Sequence, residues 1–202
     1  RQMPLSLANQ ITIEKTPSYY VTPGVAARVY NMSRHVKLII AVRDPVTRAI
    51  SDYTQGISKQ NGGKTFEDLA FMNVTTGLVD TSWSAIRIGL YAKYLQRWRR
   101  FFPTSQFHIV SGEKLISDPV GEIAKVQEFL GLSKLVDDSC FYFNETKGFP
   151  CMRSRTKTHC LDKTKGRVHP KINPISIHRL QDFYRPFNLK FYFFVGQNFG
   201  WT

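Results

Sequence analysis

The stretch "VKLIIAVRDPVTRAISDYTQ" (Val36 to Gln55) decides the fold of this chain. Its first part, Val36–Val42, is a short apolar run, typical of a strand that is buried on both faces of a parallel sheet. After Arg43 the chain turns at Asp-Pro, and apolar residues then recur at helical spacing, at positions 46, 49, 50, 53 and 57. We therefore predict a strand that leads directly into a helix, with Arg43 at the junction.

The same alternation continues along the chain. "FHIV" (Phe107 to Val110) reads as a second buried strand, and three further stretches have helical patterns. These stretches are "IGLYAKYLQRWRRFF" (88–102), "DPVGEIAKVQEFLG" (118–131) and "NPISIHRLQDFY" (173–184). Strands that alternate with helices predict an α/β domain with a central, mostly parallel sheet. Without repeats or linkers, we expect one domain over residues 1–202.

Composition favours a folded domain that binds anions. The chain has 202 residues, of which 42% are hydrophobic, and its 28 Lys and Arg against 15 Asp and Glu give a formal charge of +13. Such an imbalance attracts nucleic acid, an anionic membrane surface, or a sulfated or phosphorylated substrate, although a merely soluble basic protein remains an alternative. No apolar run is long enough to cross a membrane, and we see no signal peptide in the first thirty residues.

The cysteines and glycosylation sequons favour an oxidising compartment. Three cysteines are too few for a disulfide framework and lack the spacing of a zinc site, but Cys151 and Cys160 flank a short polar loop that a disulfide could close. Three Asn-x-Ser/Thr sequons, at Asn31, Asn73 and Asn144, are compatible with secretion. Together these features indicate an oxidising lumen more than the cytosol.

An anion site at the end of the first strand is the strongest chemical prediction. The common motifs of metalloproteases, serine hydrolases, dinucleotide enzymes and P-loop enzymes are absent from the sequence. Ligands of parallel sheets bind at the carboxyl ends of strands, where the guanidinium of Arg43 could hold a phosphate through two hydrogen bonds. Ser51, on the polar face of the following helix, could donate to the same group. The alternative is a local Arg43–Asp44 ion pair with a solvated Ser51.

Two further segments could contribute to such a site. "KTKGRVHP" (Lys163 to Pro170) places cations around one glycine, so that backbone N–H groups and long side chains could converge on an anion. It could equally be a solvated basic loop. In "DTSWSAIRIG" (Asp80 to Gly89), Trp83 lies in a polar stretch. A core position is the usual place for such a tryptophan, but contact with a sugar ring is the alternative.

Seven motifs in the same order resemble the heparan sulfate glucosamine 3-O-sulfotransferase family across nearly the whole chain. They are "EKTPSYY", "VRDPVTRAISDYTQ", "DTSWSAIRIG", "SGEKLISDP", "FYFNETKGFPC", "KTKGRVHP" and "FYRPFNLKFY". The resemblance implies a sulfotransferase fold similar to the P-loop nucleotide kinases. It also implies transfer of a sulfuryl group from 3′-phosphoadenosine 5′-phosphosulfate to the 3-hydroxyl of glucosamine in heparan sulfate. No metal requirement is expected.

The resemblance also implies roles for particular residues. It assigns Arg43 and Ser51 to the 3′-phosphate of the donor, and a second set to the nucleotide: Pro150, Lys165, Gly166, Arg167, Val168 and His169. Contacts with the polysaccharide are implied for Lys15, Thr16, Pro17, Ser18, Gln55, Trp83 and Ser84. Cys151 and Cys160 match the family's disulfide, whereas Cys140 has no counterpart and is expected to be a free thiol.

One departure from the family's pattern concerns catalysis. In the family, the phosphosulfate-binding loop with its lysine and the glutamate thought to deprotonate the sugar hydroxyl precede the "EKTPSY" segment, and here thirteen residues precede Glu14. In-line displacement at sulfur needs a base for the hydroxyl and cations for the leaving phosphate. We therefore expect this chain to lack the first strand, the phosphate loop and the base, and to be inactive by itself.

Two other functions and a location complete the predictions. The first alternative is a non-catalytic module that binds heparin or another glycosaminoglycan through its charge. Nucleic-acid binding fits the charge but lacks a recognisable module, and we expect none. The resemblance implies the Golgi lumen, with the full-length protein held in the membrane by an anchor upstream of this chain.

Overall fold

A computed structural model describes residues 6–7, 10–57, 63–154, 156–161 and 168–201. The helices in these ranges are α1 (Val25–Met32), α2 (Pro45–Ile57), α3 (Phe66–Ala70), α4 (Ser84–Ile88), α5 (Tyr91–Trp98), α6 (Gly112–Ser117), α7 (Pro119–Leu130) and α8 (Pro174–Val195). The strands are β1 (Leu38–Val42), β2 (Phe71–Asn73), β3 (Leu78–Val79), β4 (Phe107–Ser111), β5 (Phe141–Asn144), β6 (Phe149–Arg153) and β7 (Thr158–His159). The model is therefore a mixed α/β structure, as predicted.

The two predicted strands form a parallel pair. β1 and β4 are hydrogen-bonded in register from Leu38 opposite Phe107 to Val42 opposite Ser111. The other strands of the described residues form two small antiparallel sheets, β2–β3 and β5–β6–β7. The parallel pair confirms the predicted direction of the main sheet and brings the carboxyl ends of β1 and β4 side by side.

The prediction that β1 is buried on both faces is wrong for the described residues. Val42 is buried and Ile40 packs beside it, whereas Ile39 is 42% exposed and Ala41 is exposed. Successive side chains of a strand point to opposite faces. Residues of α5 and α8 cover the face that carries Val42, but in the described chain the other face has no equivalent cover.

α2 forms as the sequence predicts. Asp44 caps it, because its Oδ1 accepts hydrogen bonds from the backbone N–H and the hydroxyl of Thr47, at 2.7 and 2.6 Å. Pro45 occupies the first helical position, where its missing N–H costs nothing. Val46, Ala49 and Ile50 are buried on the predicted apolar face. The turn after β1 thus has a rigid entry into the helix.

The remaining predicted helices also form, with one difference in length. α7 has Asp118 as its cap and ends at Gly131, whose φ of 76° is the left-handed conformation that glycine adopts easily. α8 begins after Asn173, whose side chain caps it, but continues past Tyr184 to Val195, through Pro186. Burial of its inward face against α5 outweighs the hydrogen bond that a proline inside a helix removes. Tyr91 and Phe191, with ring centroids 5.6 Å apart, are part of that contact.

The disulfide is formed in the second half of the chain. Cys151 in β6 is bonded to Cys160 just after β7, with their Cα atoms 4.7 Å apart. Cys140 is a free, half-buried thiol. Both predictions are confirmed. No helix of the described residues is long and apolar enough to cross a membrane.

Candidate functional site

The candidate site lies where β1 and β4 end. Val42 and Ser111 are paired neighbours, and each strand continues at once into a helix, α2 and α6. Gly112 lets the second connection pass close to the first: a Cβ at this position would lie 3.0 Å from the carbonyl oxygen of Val42 and 3.4 Å from the Cβ of Arg43. Arg43 therefore leaves the sheet at the edge where α/β proteins bind ligands.

Tyr91 holds the backbone of Arg43 in place. Its hydroxyl donates a hydrogen bond to the carbonyl oxygen of Arg43 at 2.8 Å and accepts one from the N–H of Arg43 at 3.5 Å. Burial raises the pKa of Tyr91 to about 12, so the phenol stays protonated and able to donate. The sequence pattern of residues 88–102 predicts a helix but does not indicate this role of Tyr91.

The structure does not support the alternative of a local Arg43–Asp44 ion pair. Asp44 is engaged elsewhere: its carboxylate caps α2, and its N–H donates to Oε1 of Glu113 at 2.7 Å. Within the described ranges, the guanidinium of Arg43 has no ion pair or hydrogen bond, and the residue is half-buried. A half-buried cation without a partner at the end of a strand is suited to holding an anion.

The positive charge of Arg43 affects the pKa of His169. Burial lowers the pKa of His169, and the positive charge of Arg43 lowers it further. Val168 beside it is 93% exposed. Lys165, Gly166 and Arg167, the centre of the predicted basic loop, lie outside the described residues. The predicted role of this loop stays a prediction.

Ser51 and Gln55 lie one helical turn apart on α2. Residues four apart share a helix face, and Ser51 is half-buried while Gln55 is exposed. The Ser51 hydroxyl has no hydrogen-bond partner within the described ranges. One helix thus carries Ser51, predicted to face the donor, and Gln55, predicted to face the sugar.

Arg48 joins α2 to α4, a contact that the sequence analysis missed. Its guanidinium forms an ion pair with Asp52 at 2.7 Å and donates to the carbonyl oxygen of Ala85. The side chain is only 17% exposed, although its position on the helix suggested an outer face. The spacing of Arg48 and Asp52, at i and i+4, is a signal for the ion pair, but not for the partner in α4.

Trp83 rests on an aromatic cluster beside α2. Its ring centroid lies 5.6 Å from that of Phe66 and 6.5 Å from that of Tyr53, both in edge-on contacts. Trp83 is half-buried and Ser84 is exposed. The two alternatives for Trp83 are therefore compatible, because one part of the ring packs on the core while another part remains accessible.

The segment Lys15–Ser18 precedes Tyr20, which is bonded to α5. The hydroxyl of Tyr20 donates to the carbonyl oxygen of Tyr91 at 2.9 Å, and the indole N–H of Trp98 donates to the carbonyl oxygen of Tyr20 at 3.0 Å. Lys15, Pro17 and Ser18 are exposed and Thr16 is half-buried. Tyr20 thus ties the chain after this segment to α5, and the predicted contacts of Lys15–Ser18 with the polysaccharide stay a prediction.

The other predicted positions lie in loops and hairpins. Pro150 is half-buried in β6, next to Cys151 and opposite Phe143. Of the sequon residues, Asn31 and Asn73 are exposed, whereas Asn144 is half-buried with its Nδ2 3.8 Å from Sγ of Cys160. Across the described part of the chain, no group of three or more His, Cys, Asp and Glu residues is placed to hold a metal.

Replacing Tyr91 by phenylalanine tests whether this hydroxyl positions Arg43. The ring would stay, but both hydrogen bonds to Arg43 would be lost, and we expect the free energy of unfolding to fall by about 1–2 kcal/mol. We also expect several-fold weaker binding of adenosine 3′,5′-bisphosphate, measured by calorimetry. Tyr30→Phe, on α1, is the control. Unchanged affinity for the nucleotide would show that Tyr91 only stabilises the fold.

Known proteins resemble this chain over most of its length. The sequence family described as "Sulfotransferase domain" matches residues 19–192 of this chain. Human heparan sulfate glucosamine 3-O-sulfotransferase 3B1 is 59% identical over 98% of this chain and 52% of its own length. The mouse 3-O-sulfotransferase 6 is 55% identical over 98% of this chain and 59% of its length. The chain thus spans about half of the length of the curated relatives it matches.

A solved structure supports the fold. The sulfotransferase from Alicyclobacillus acidocaldarius superimposes with a TM-score of 0.64, covering 89% of this chain and 62% of the other, at 21% sequence identity. At that identity the likeness concerns the fold alone. The family match covers most of the chain, includes β1, α2 and β4, and agrees with the resemblance of the seven motifs. This chain belongs to the sulfotransferase domain family.

Proposed function

We propose that this chain is part of an enzyme that transfers a sulfuryl group from 3′-phosphoadenosine 5′-phosphosulfate to the 3-hydroxyl of glucosamine in heparan sulfate. The proposal rests on the position of Arg43 at the carboxyl end of β1. Its guanidinium is a half-buried cation that has no partner in the described ranges. The names of the relatives support the acceptor, because they are heparan sulfate glucosamine 3-O-sulfotransferases.

The residues at the site have the chemistry that the donor needs. A guanidinium can form two parallel hydrogen bonds with a phosphate, and the hydroxyl of Ser51 can add a third. His169 is kept neutral by burial and by Arg43, so a phosphate placed between them would favour its protonated form. When bound, the donor supplies the activated sulfuryl group. The roles of Arg43, Ser51 and His169 are to bind and orient its nucleotide part.

The acceptor side uses the neighbouring elements. Gln55 follows Ser51 by one turn of α2, and Trp83 with Ser84 lies at the start of α4, which Arg48 ties to α2. In the proposed arrangement these side chains and the segment Lys15–Ser18 contact the polysaccharide. Pro150, Lys165, Gly166, Arg167 and Val168 complete the proposed donor contacts, and the Golgi lumen is the proposed location, consistent with the disulfide.

The test is transfer of labelled sulfate by the full-length protein. With labelled 3′-phosphoadenosine 5′-phosphosulfate and heparan sulfate, we expect label in the polysaccharide, and disaccharide analysis should place it on the 3-hydroxyl of glucosamine. Chondroitin sulfate, which lacks glucosamine, is the control acceptor. Label at another position would overturn the proposed acceptor group, and no transfer to any polysaccharide would overturn the enzyme proposal.

The same experiment separates the enzyme from a module that only binds glycosaminoglycans. A diffuse charge effect would hold heparin equally well after loss of Arg43 and Ser51, and would be sensitive to salt. Membership of the sulfotransferase domain family does not favour binding as the whole function. Heparin affinity without any transfer of sulfate would nevertheless revive it.

A further inference from the structure

The strongest feature that the proposed site does not use is a basic face at the far ends of α5 and α8. We call it the distal groove. Its residues are Gln96, Arg99, Arg100, Lys125, Lys190 and Phe194. α5 begins at Tyr91, which is bonded to Arg43, and Arg99 follows eight residues later. At 1.5 Å per helical residue, Arg99 lies about 12 Å further along the axis of α5, away from the candidate site.

The distal groove contains two neighbouring hollows. One depression of ≈ 320 Å³ is lined by Gln96, Arg99, Arg100 and Phe194. A second cavity, of ≈ 180 Å³, shares Arg99 and Phe194 with it and extends to Lys125 and His108. The two hollows are therefore neighbours that share Arg99 and Phe194 in their linings.

Two cations of the groove, Arg99 and Lys190, lie against an aromatic ring, whereas Lys125 is paired with Glu122 at 3.2 Å. The guanidinium of Arg99 lies 4.9 Å and the ammonium of Lys190 lies 5.6 Å from the ring centroid of Phe194. Such contacts orient a cation while leaving its hydrogen-bond donors free. Within the described ranges, neither of these residues nor Arg100 has an ion-pair partner.

Acidic residues are missing from α5 and from the last part of α8, although α7 carries Glu122 and Glu128. The sequence contains no Asp or Glu from Thr81 to Gly112 or from Phe183 to Thr202. One acid lies in the inner cavity, Glu122, but it is 3% exposed and already bonded to the N–H of Ser111 and to Lys125. Its charge is therefore engaged, and the potential of the groove remains positive.

The inner cavity also has an unused polar atom. Nε2 of His108 is buried and has no hydrogen-bond partner among the described residues. A buried polar atom without a partner costs free energy that a ligand group or water in the cavity would recover. Attraction to the carboxyl end of α5 accounts for Arg97 and Arg99, and the ion pair with Glu122 accounts for Lys125. Neither effect explains Lys190 on α8.

We infer that the distal groove is a second binding surface for a sulfated polysaccharide, which holds the acceptor chain at a distance from the residues that bind the donor. This inference rests on the proposed function. Arginine binds sulfate oxygens through paired hydrogen bonds, and a linear polymer with many sulfates can occupy two sites of one protein. A linear sulfated chain can lie along a depression lined by the exposed residues Arg99 and Arg100, and a membrane surface is the alternative that the vesicle measurement below tests.

The test compares long and short heparin chains on the full-length protein. In the variant Arg99→Ala/Arg100→Ala, affinity for long heparin should fall about fivefold to tenfold at low salt, since two charge contacts are lost. The slope of log affinity against log salt should decrease in magnitude by about one to two. Sulfate transfer to the shortest heparan oligosaccharide that the enzyme accepts should fall less than transfer to long chains, because a shorter chain makes fewer contacts with the groove.

Two further variants make the result interpretable. Lys134→Ala/Lys157→Ala removes the same charge from exposed loops and should keep most of the affinity for long heparin. Arg99→Lys/Arg100→Lys keeps the charge and should retain part of the affinity for long heparin. Thermal unfolding checks that every variant is folded.

Three outcomes would decide the matter. Equal heparin affinity of the Arg99→Ala/Arg100→Ala variant and the loop variant would overturn the inference. So would loss of binding to phosphatidylserine vesicles with heparin affinity intact, because the groove would then serve a membrane. If the unmodified protein transfers no sulfate but the groove variant still loses heparin affinity, the proposed function fails and the groove stands.

Discussion

Arg43→Ala is expected to lower kcat/KM for sulfate transfer by about 100-fold to 10,000-fold. Two hydrogen bonds between charged groups would be lost, each worth roughly 1.5–3 kcal/mol, and 1.4 kcal/mol corresponds to a factor of ten. The loss should appear equally in the affinity for adenosine 3′,5′-bisphosphate, which carries the same 3′-phosphate but no sulfuryl group. Transfer kinetics and calorimetry with the full-length protein measure the two quantities.

Two control variants define what this result means. Arg28→Ala removes an exposed cation from α1, and we expect its kinetics to match those of the unmodified protein. Arg43→Lys keeps the charge but loses the paired hydrogen-bond geometry, so partial recovery is expected. A change of less than about threefold for Arg43→Ala would rule out this residue as the main phosphate contact.

Phe66→Ala should lower the free energy of unfolding by about 3–5 kcal/mol, the usual cost of deleting a buried aromatic ring. Phe66 is 1% exposed and lies between Tyr53 of α2 and Trp83, with ring centroids 5.6 Å from each. Loss of the ring leaves a cavity under Trp83. Urea unfolding, followed by the fluorescence of tryptophan, measures the effect.

A milder substitution of Phe66 tests the acceptor side of the site. If Trp83 contacts the polysaccharide, the conservative variant Phe66→Leu, which is more stable than Phe66→Ala, should raise KM for heparan sulfate with little change in donor affinity. Phe143→Ala removes a ring that is 59% exposed and should change stability by no more than about 0.5 kcal/mol. An unchanged KM in the folded Phe66→Leu variant would show that Trp83 has only a structural role.

Local sequence patterns predicted the elements that surround the site. The Asp-Pro turn after β1, the apolar face of α2, and the caps of α7 and α8 depend on neighbouring residues, so they could be read directly from the sequence. The parallel pairing of β1 with β4 followed from the alternation of strands and helices. The exposure of Ile39 could not be predicted, because a strand pattern does not specify what packs on each face.

Contacts over long sequence distances could not be predicted in this way. Arg43 is fixed by Tyr91, 48 residues later, and Arg48 reaches Ala85, 37 residues later. No periodicity relates residues at such separations. The distal groove also depends on a contact over a long sequence distance. The guanidinium of Arg99 lies over the ring of Phe194, which is 95 positions away in the sequence.

The sequence by itself determined that the chain is basic, that Arg43 stands between a strand and a helix, and that its motifs resemble one sulfotransferase family. It could do so because charge, capping and motif order are properties of neighbouring residues. Only the tertiary structure decided that the guanidinium of Arg43 has no ion pair in the described ranges, that His169 lies near it, and that a second group of cations forms a hollow. These are matters of proximity, which arises when distant segments pack together.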